Sequence, residues 1–289
     1  MCRHLAYLGA PVSLGRVLSE PEHSLVRQSW EPRRQRSGTV NADGFGVGWY
    51  AEGDPVPARY RRAGPIWGDL TFSDLARVVR SGAVLAAVRD ATRPGADGEA
   101  AAAPFAEGLW LFSHNGSLRD WPDSAAPVTA GLPPRELLSL AARTDSALIW
   151  ALVLHRLRTD PDLGAALAGT VRELAEAAPG SRLNLLVTDG RAIAATAWGD
   201  SLWYLADAAA QRTVVASEPY DDDPRWCEVP DRTLLTATRT RVDLVSLKEP
   251  PATKTHASHT PHVPHAPLAP LAPLAPHQGL APHQGDEGP

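Results

Sequence analysis

The chain has 289 residues, 44% of them apolar and 21% charged, enough to bury a substantial core in one large domain or two small ones. Its 28 basic against 33 acidic side chains leave a formal charge of −5, which argues against the basic footprint of a nucleic-acid binder. No apolar run reaches the roughly 18 residues of a membrane span. Pro11, Arg16, Glu20 and Glu22 also interrupt any secretory leader, so the expectation is a cytoplasmic protein.

Short apolar or alternating runs predict strands at 4–9, 45–50, 83–88 and 109–113, and again at 183–188, 192–198, 202–206, 213–217 and 241–247. A helix is expected in "TFSDLARVVRS", where Thr71 and Asp74 form a capping-box-like start. A second follows Pro134 in "RELLSLAA", and Thr144 is placed to cap a third, "DSALIWALVLHRL". A fourth begins near Pro161, with Leu163, Leu167, Val171 and Leu174 on one face. Strands come in clusters and helices sit together in the middle. That pattern favours an α+β domain of antiparallel sheets covered by helices over a doubly wound parallel sheet.

This domain is expected to span residues 2–248. Residues 249–289 differ sharply: ten of the 27 prolines and six of the ten histidines fall there, among repeated P-L-A triplets. Such a segment cannot bury enough surface to offset its ordering entropy, and the expectation is a disordered, partly polyproline-like tail. Its histidines are also ready metal ligands, which leaves open a non-catalytic, metal- or partner-binding reading.

Two cysteines, Cys2 and Cys227, are too few for a disulfide framework. Cys2 follows the initiator, and trimming of Met1 beside this small residue would give it a free α-amino group. With a reference pKa of about 7.7–8.0, that amine can act as the base for its own thiol. A cysteine at position two can equally be incidental. Cys2 and His4 at alternate positions fall short of a zinc site, so neither metal nor cofactor is expected.

Further along, "VRDATRPG" sets Arg89 and Thr92 beyond an apolar strand, able to hold a carboxylate or simply to pair at the surface. "FSHNGSL" offers Asn115 and Gly116 either as a tight turn or as neighbouring oxyanion donors. Asp145, at the start of a helix, complements its dipole or receives an ammonium group. Together these residues describe a site for a glutamyl group: Arg for the α-carboxylate, Asp for the α-ammonium, and a thiol with oxyanion donors for the carbonyl.

An N-terminal Cys, R-x-x-T, H-N-G and the Asp of "TDS", in that order, resemble the class II glutamine amidotransferases of the N-terminal-nucleophile hydrolase superfamily. The resemblance runs over most of residues 2–220, including "NADGFGVGWY" and "AAPFAEGLWLFSHNG". It implies a four-layer αββα sandwich of antiparallel sheets and hydrolysis of a γ-glutamyl amide in a small molecule. Cys2 would attack, Asn115 and Gly116 would stabilise the oxyanion, and Arg89, Thr92 and Asp145 would hold the glutamyl head. "NADGFG" is expected to shape a turn and a strand passing close to Cys2.

Two departures bear against free glutamine as the donor: Ala87 and Arg93 stand where glutamine-using members often carry His. A stand-alone hydrolase is therefore expected, with other γ-glutamyl peptides, glutathione-like conjugates or ammonia delivery to a partner as alternatives. For a cationic leaving group, Trp30, Trp49, Trp67, Trp110, Trp198 and Trp203 are conceivable cage walls. Glu218 and Asp221–Asp223 are either an acidic rim or a solvated loop. The oligomeric state is not legible.

Overall fold

The computed structural model describes residues 2–36, 38, 40–91 and 97–248. Thr92, Arg93 and the 249–289 segment lie outside the described residues. In chain order the elements are β1 (Arg3–Ser13), α1 (Leu14–Leu18), α2 (Leu25–Gln28), β2 (Phe45–Trp49), β3 (Ala58–Arg62), α3 (Leu70–Val78) and β4 (Arg80–Val88). There follow β5 (Phe105–Glu107), β6 (Trp110–Ser117), α4 (Ala126–Thr129), α5 (Pro134–Leu138), α6 (Asp145–Thr159) and α7 (Leu163–Ala177). The chain ends in β7 (Arg182–Thr188), β8 (Ile193–Ala197), β9 (Trp203–Asp207), β10 (Arg212–Ala216), β11 (Cys227–Glu228), β12 (Thr233–Ala237) and β13 (Val242–Ser246).

The strands form two antiparallel sheets, ordered β11-β9-β10-β1-β4-β2-β3 and β13-β12-β8-β7-β6-β5. Side-chain parity sorts them into layers, because alternate residues of a strand point to opposite faces. Leu5 and Tyr7 of β1, with Val84 and Ala86 of β4, pack with Leu14, Leu18 and Phe72 from α1 and α3. Their alternates Ala6, Leu8, Ala83 and Leu85 pack instead with Leu111, Leu186, Ala195 and Leu235 of the second sheet. Phe112, Leu185 and Val187 turn away from that interface towards Leu148, Leu152, Leu167 and Val171 of α6 and α7. The result is the expected αββα sandwich. Strands covered on both faces read as unbroken apolar runs, which is why "AVLAAV" shows no alternation.

Local chemistry decides the boundaries. α3 is capped by Asp69, whose Oδ1 accepts from Phe72 N at 2.9 Å, rather than by Thr71 and Asp74. Thr144 caps α6 as expected, its hydroxyl accepting from Ala147 N. Asn115 and Gly116 do not form a turn: they pair with Asn184 and Leu183 inside β6. β3, β5, β11, β12 and the short helices α1, α2 and α4 go beyond the elements that the sequence pattern predicts. "NADGFG" does not lead beside Cys2, because β2 pairs with β4, which stands between it and β1. Among the described residues no helix is long and apolar enough to cross a membrane.

Candidate active site

Segments at the ends of β1, β4 and β6 and at the start of α6 surround a cavity of about 480 Å³. Cys2, Ala87, Arg89, Asp90, Gly116 and Asp145 are among its walls. These residues come from four elements far apart in sequence, and the sandwich topology brings them to one opening.

Cys2 is a half-buried free thiol. Burial pushes the thiol up from its ordinary value, the Asp90 backbone amide and the Arg89 guanidinium pull it back, and the Asp145 carboxylate adds to the rise. The thiol is therefore protonated at neutral pH and needs a base at the moment of attack. Arg3, fully enclosed, donates from Nε to the Cys2 carbonyl oxygen at 2.8 Å. Burial draws its guanidinium down, against the opposing pull of Glu218 and Asp200.

Beneath Cys2 the two sheets are joined by polar contacts. His4 Nδ1 meets Ser113 Oγ at 3.2 Å, and burial, then Arg3 and His114, pull the imidazole down to about 3, so it is neutral. Ser217 lies where the sheets meet: its hydroxyl accepts from His4 N at 3.0 Å and from Asn115 Nδ2 at 3.4 Å. The Asn115 amide is fully buried and carries two N–H groups, only one of which this long bond uses.

Asn115 does not itself line the cavity, whereas its neighbour Gly116 does. No side chain can replace Gly116, because a Cβ there would sit 1.9 Å from Arg182 O and 2.7 Å from His114 Nε2. His114 Nε2 lies 3.0 Å from that same carbonyl, which can only accept, so Nε2 carries the proton. His114 Nδ1 lies 3.0 Å from the Ser146 hydroxyl.

Arg89 is held by the "NADGFG" loop. Its backbone N donates to Gly44 O, its carbonyl accepts from Asp43 N, and Nη1 donates to Asp43 O at 3.1 Å. Asp43 Oδ2 also accepts from Ala91 N at 2.8 Å. The motif thus braces the arginine rather than the cysteine. Asp145 accepts from Leu118 N at 2.8 Å through Oδ2 and from Ser146 N at 2.7 Å through Oδ1. Both contacts fix the carboxylate at the cavity wall and leave it lone pairs for a cation.

A sequence profile of the class II glutamine amidotransferases matches residues 20–210. The chain belongs to that family. Among the curated relatives of this chain is the gamma-glutamyl-hercynylcysteine sulfoxide hydrolase of Mycolicibacterium smegmatis, 43% identical over 236 residues, which are 81% of this chain and 95% of the relative. The Mycobacterium tuberculosis protein of the same name is 41% identical, covering 86% and 97% respectively. Among solved structures, a glutamine aminotransferase class-II domain protein from Silicibacter pomeroyi superposes with a TM-score of 0.62 at 25% identity, covering 86% of this chain and all of that one.

Four of the expected site residues, Cys2, Arg89, Gly116 and Asp145, share one cavity, and Asn115 stands one position behind it. Ser113, Ser146 and Ser217, which hold the histidines and Asn115, carry no recognisable signal in the sequence. Of the two readings of Glu218 and Asp221–Asp223, the acidic rim is not favoured, because these carboxylates are engaged within the protein: Glu218 accepts from the Arg33 and Arg34 backbone, Asp221 from Trp226 Nε1, and Asp222 and Asp223 pair with Arg33 and Arg225. None of the six tryptophans named as possible cage walls lines the cavity, whereas Trp121 does.

Proposed function

We propose that the chain is an amidohydrolase that cleaves the γ-glutamyl amide of γ-glutamyl-hercynylcysteine sulfoxide, releasing glutamate and hercynylcysteine sulfoxide in ergothioneine biosynthesis. The observation that carries this reading is 43% identity to a hydrolase of that name over nearly its whole length, in a chain whose cavity joins Cys2, Arg89 and Asp145.

Removal of Met1 exposes the Cys2 α-amine, which takes the thiol proton as sulfur attacks the γ-carbonyl. Arg89 grips the substrate α-carboxylate and Asp145 its ammonium, with Thr92 adding a hydroxyl. The spare Asn115 N–H and the Gly116 backbone amide stabilise the oxyanion. The amine product leaves with the proton, and water then releases glutamate from the Cys2 thioester. Ala87, on the cavity wall where glutamine-using members often carry His, favours a peptide-like substrate over free glutamine.

The test is glutamate release by wild type and Cys2→Ala, with the N-terminus read by mass spectrometry. We expect the variant to lose more than about 10³-fold in kcat while keeping its melting temperature, as removal of an activated nucleophile does. Residual activity above that level, or an active enzyme that retains Met1, overturns the mechanism.

A further inference from the structure

Once Met1 is removed, the nucleophile has little main chain by which to be held. Its amine must stay free to act as base and its thiol free to attack, so the Cys2 carbonyl is the polar group left to anchor. The sheet does not supply the anchor. In an antiparallel pair, alternate residues turn their N–H and C=O groups to the same neighbouring strand. Ser217 N donates to His4 O at 2.9 Å, so His4 faces the β10 side, and Cys2, two residues back, has the same sense. β10 ends at Ala216, and its register with β1, continued, sets Cys2 against Pro219, which has no N–H to give.

Arg3 takes the place of the missing donor. Its Nε donates to Cys2 O at 2.8 Å. The side chain is fully buried and lies behind the cavity rather than among its walls. Burying a guanidinium is costly unless it is paired and hydrogen-bonded. Nη1 and Nη2 nevertheless have no hydrogen-bond partner among the described residues. Glu218 and Asp200 attract the charge, but Glu218 accepts from the Arg33 and Arg34 amides, and Asp200 lies 3.7 Å from Arg182 Nε. Among the described residues, the hydrogen bond that this enclosed arginine makes is the one to the nucleophile's own carbonyl.

We propose that Arg3 is the positioning residue of the nucleophile: its Nε–H fixes the Cys2 carbonyl, and through that peptide the directions of the Cys2 amine and thiol. This rests on the proposed function in that Cys2 is the residue that attacks. Arg3 stands behind the cavity wall, so it governs kcat rather than KM.

Side-chain length separates the donor from the charge. Glutamine carries its amide nitrogen as many bonds from Cα as arginine carries Nε, so Arg3→Gln keeps a donor there and loses the charge. Lysine has a methylene at that point, so Arg3→Lys keeps the charge and loses the donor. Methionine has a methyl there and loses both. The experiment measures kcat and KM for glutamate release from γ-glutamyl-hercynylcysteine sulfoxide in wild type and the three variants, per folded molecule, beside their melting temperatures. We expect Arg3→Lys and Arg3→Met to lose about 10²-fold in kcat, the scale of a 1 Å misplacement, with KM changed by less than about three-fold. Arg3→Gln should stay within about five-fold of wild type, because it retains the donor. Apolar replacement of a buried ion is commonly tolerated, so Arg3→Met supplies the donor-free arm if Arg3→Lys does not fold. An active Arg3→Lys beside an impaired Arg3→Gln would assign the role to the charge and overturn the clamp. Equal losses in all three variants, following their melting temperatures, would make Arg3 a structural residue and overturn it too, as would full activity in all three. Each of these results leaves the hydrolase reading standing. A wild type that releases no glutamate overturns that reading and the clamp together.

Discussion

Between its two sheets the molecule has a dry end and a polar end, built from the same strands. Along β1 the inward positions run Cys2, His4, Ala6, Leu8, and along β6 they run Asn115, Ser113, Leu111. Within about two residues the interface changes from imidazole and hydroxyl contacts to a packed aliphatic layer of Leu8, Leu85, Leu111, Leu186 and Leu235. The dry end supplies hydrophobic burial and fixes the register. The polar end contributes little to that burial, because its groups must be desolvated and then hydrogen-bonded to each other. The aliphatic layer locks the strands, and their polar ends then hold catalytic groups in place.

Two substitutions probe that division. Asn115→Ala should lower kcat by about 10²–10³-fold, the cost of one oxyanion donor, while changing KM little. Its stability should fall by no more than about 1 kcal/mol, since it gives up one long hydrogen bond. A loss of less than three-fold in kcat would remove Asn115 from the oxyanion site. Leu85→Ala at the dry end should do the reverse. It should cost about 2–5 kcal/mol in urea unfolding, because Leu85 is fully buried, and leave activity per folded molecule unchanged. If Leu85→Ala instead lowered kcat in the folded fraction, the two ends would not be separable.

The same contrast explains what the sequence disclosed. The dry end was legible, because continuous apolar runs such as "AVLAAV" have few alternatives to a covered strand. The long helices were legible too, from the spacing of Leu163, Leu167, Val171 and Leu174 and from Thr144 as a cap. Cys2, Arg89, Gly116 and Asp145 stood out by residue type and order, and the fold brings them to one cavity. β3 was hidden because "ARYRR" sits at a sheet edge with exposed charged side chains. Nothing in the sequence marks Trp121 among the nine tryptophans as the one that lines the cavity, since only tertiary packing separates a core indole from one that faces a cavity. Ser217 was equally silent. Its role depends on two sheets meeting, and no local spacing encodes that.

His4 gives the smallest of these effects and the finest test of the polar end. Its imidazole is fully buried and pulled down to about 3 from its ordinary value of 6.5, first by desolvation and then by Arg3 and His114. The unfolded chain therefore takes up a proton near pH 6.5 that the folded chain refuses until far lower pH. His4's contribution is present in full above the unfolded value and is lost as pH falls from about 6.5 towards 3. Between pH 6.5 and 5 that loss amounts to about 2 kcal/mol. In His4→Gln the position cannot titrate, so the variant should be less stable than wild type at pH 7 and the gap should narrow by that amount at pH 5. Urea unfolding of both proteins at pH 7, 6 and 5 measures it. Parallel stability curves would show that the imidazole accepts a proton inside the fold, and that the space between His4 and Ser113 is wetter than the packed layer two residues away.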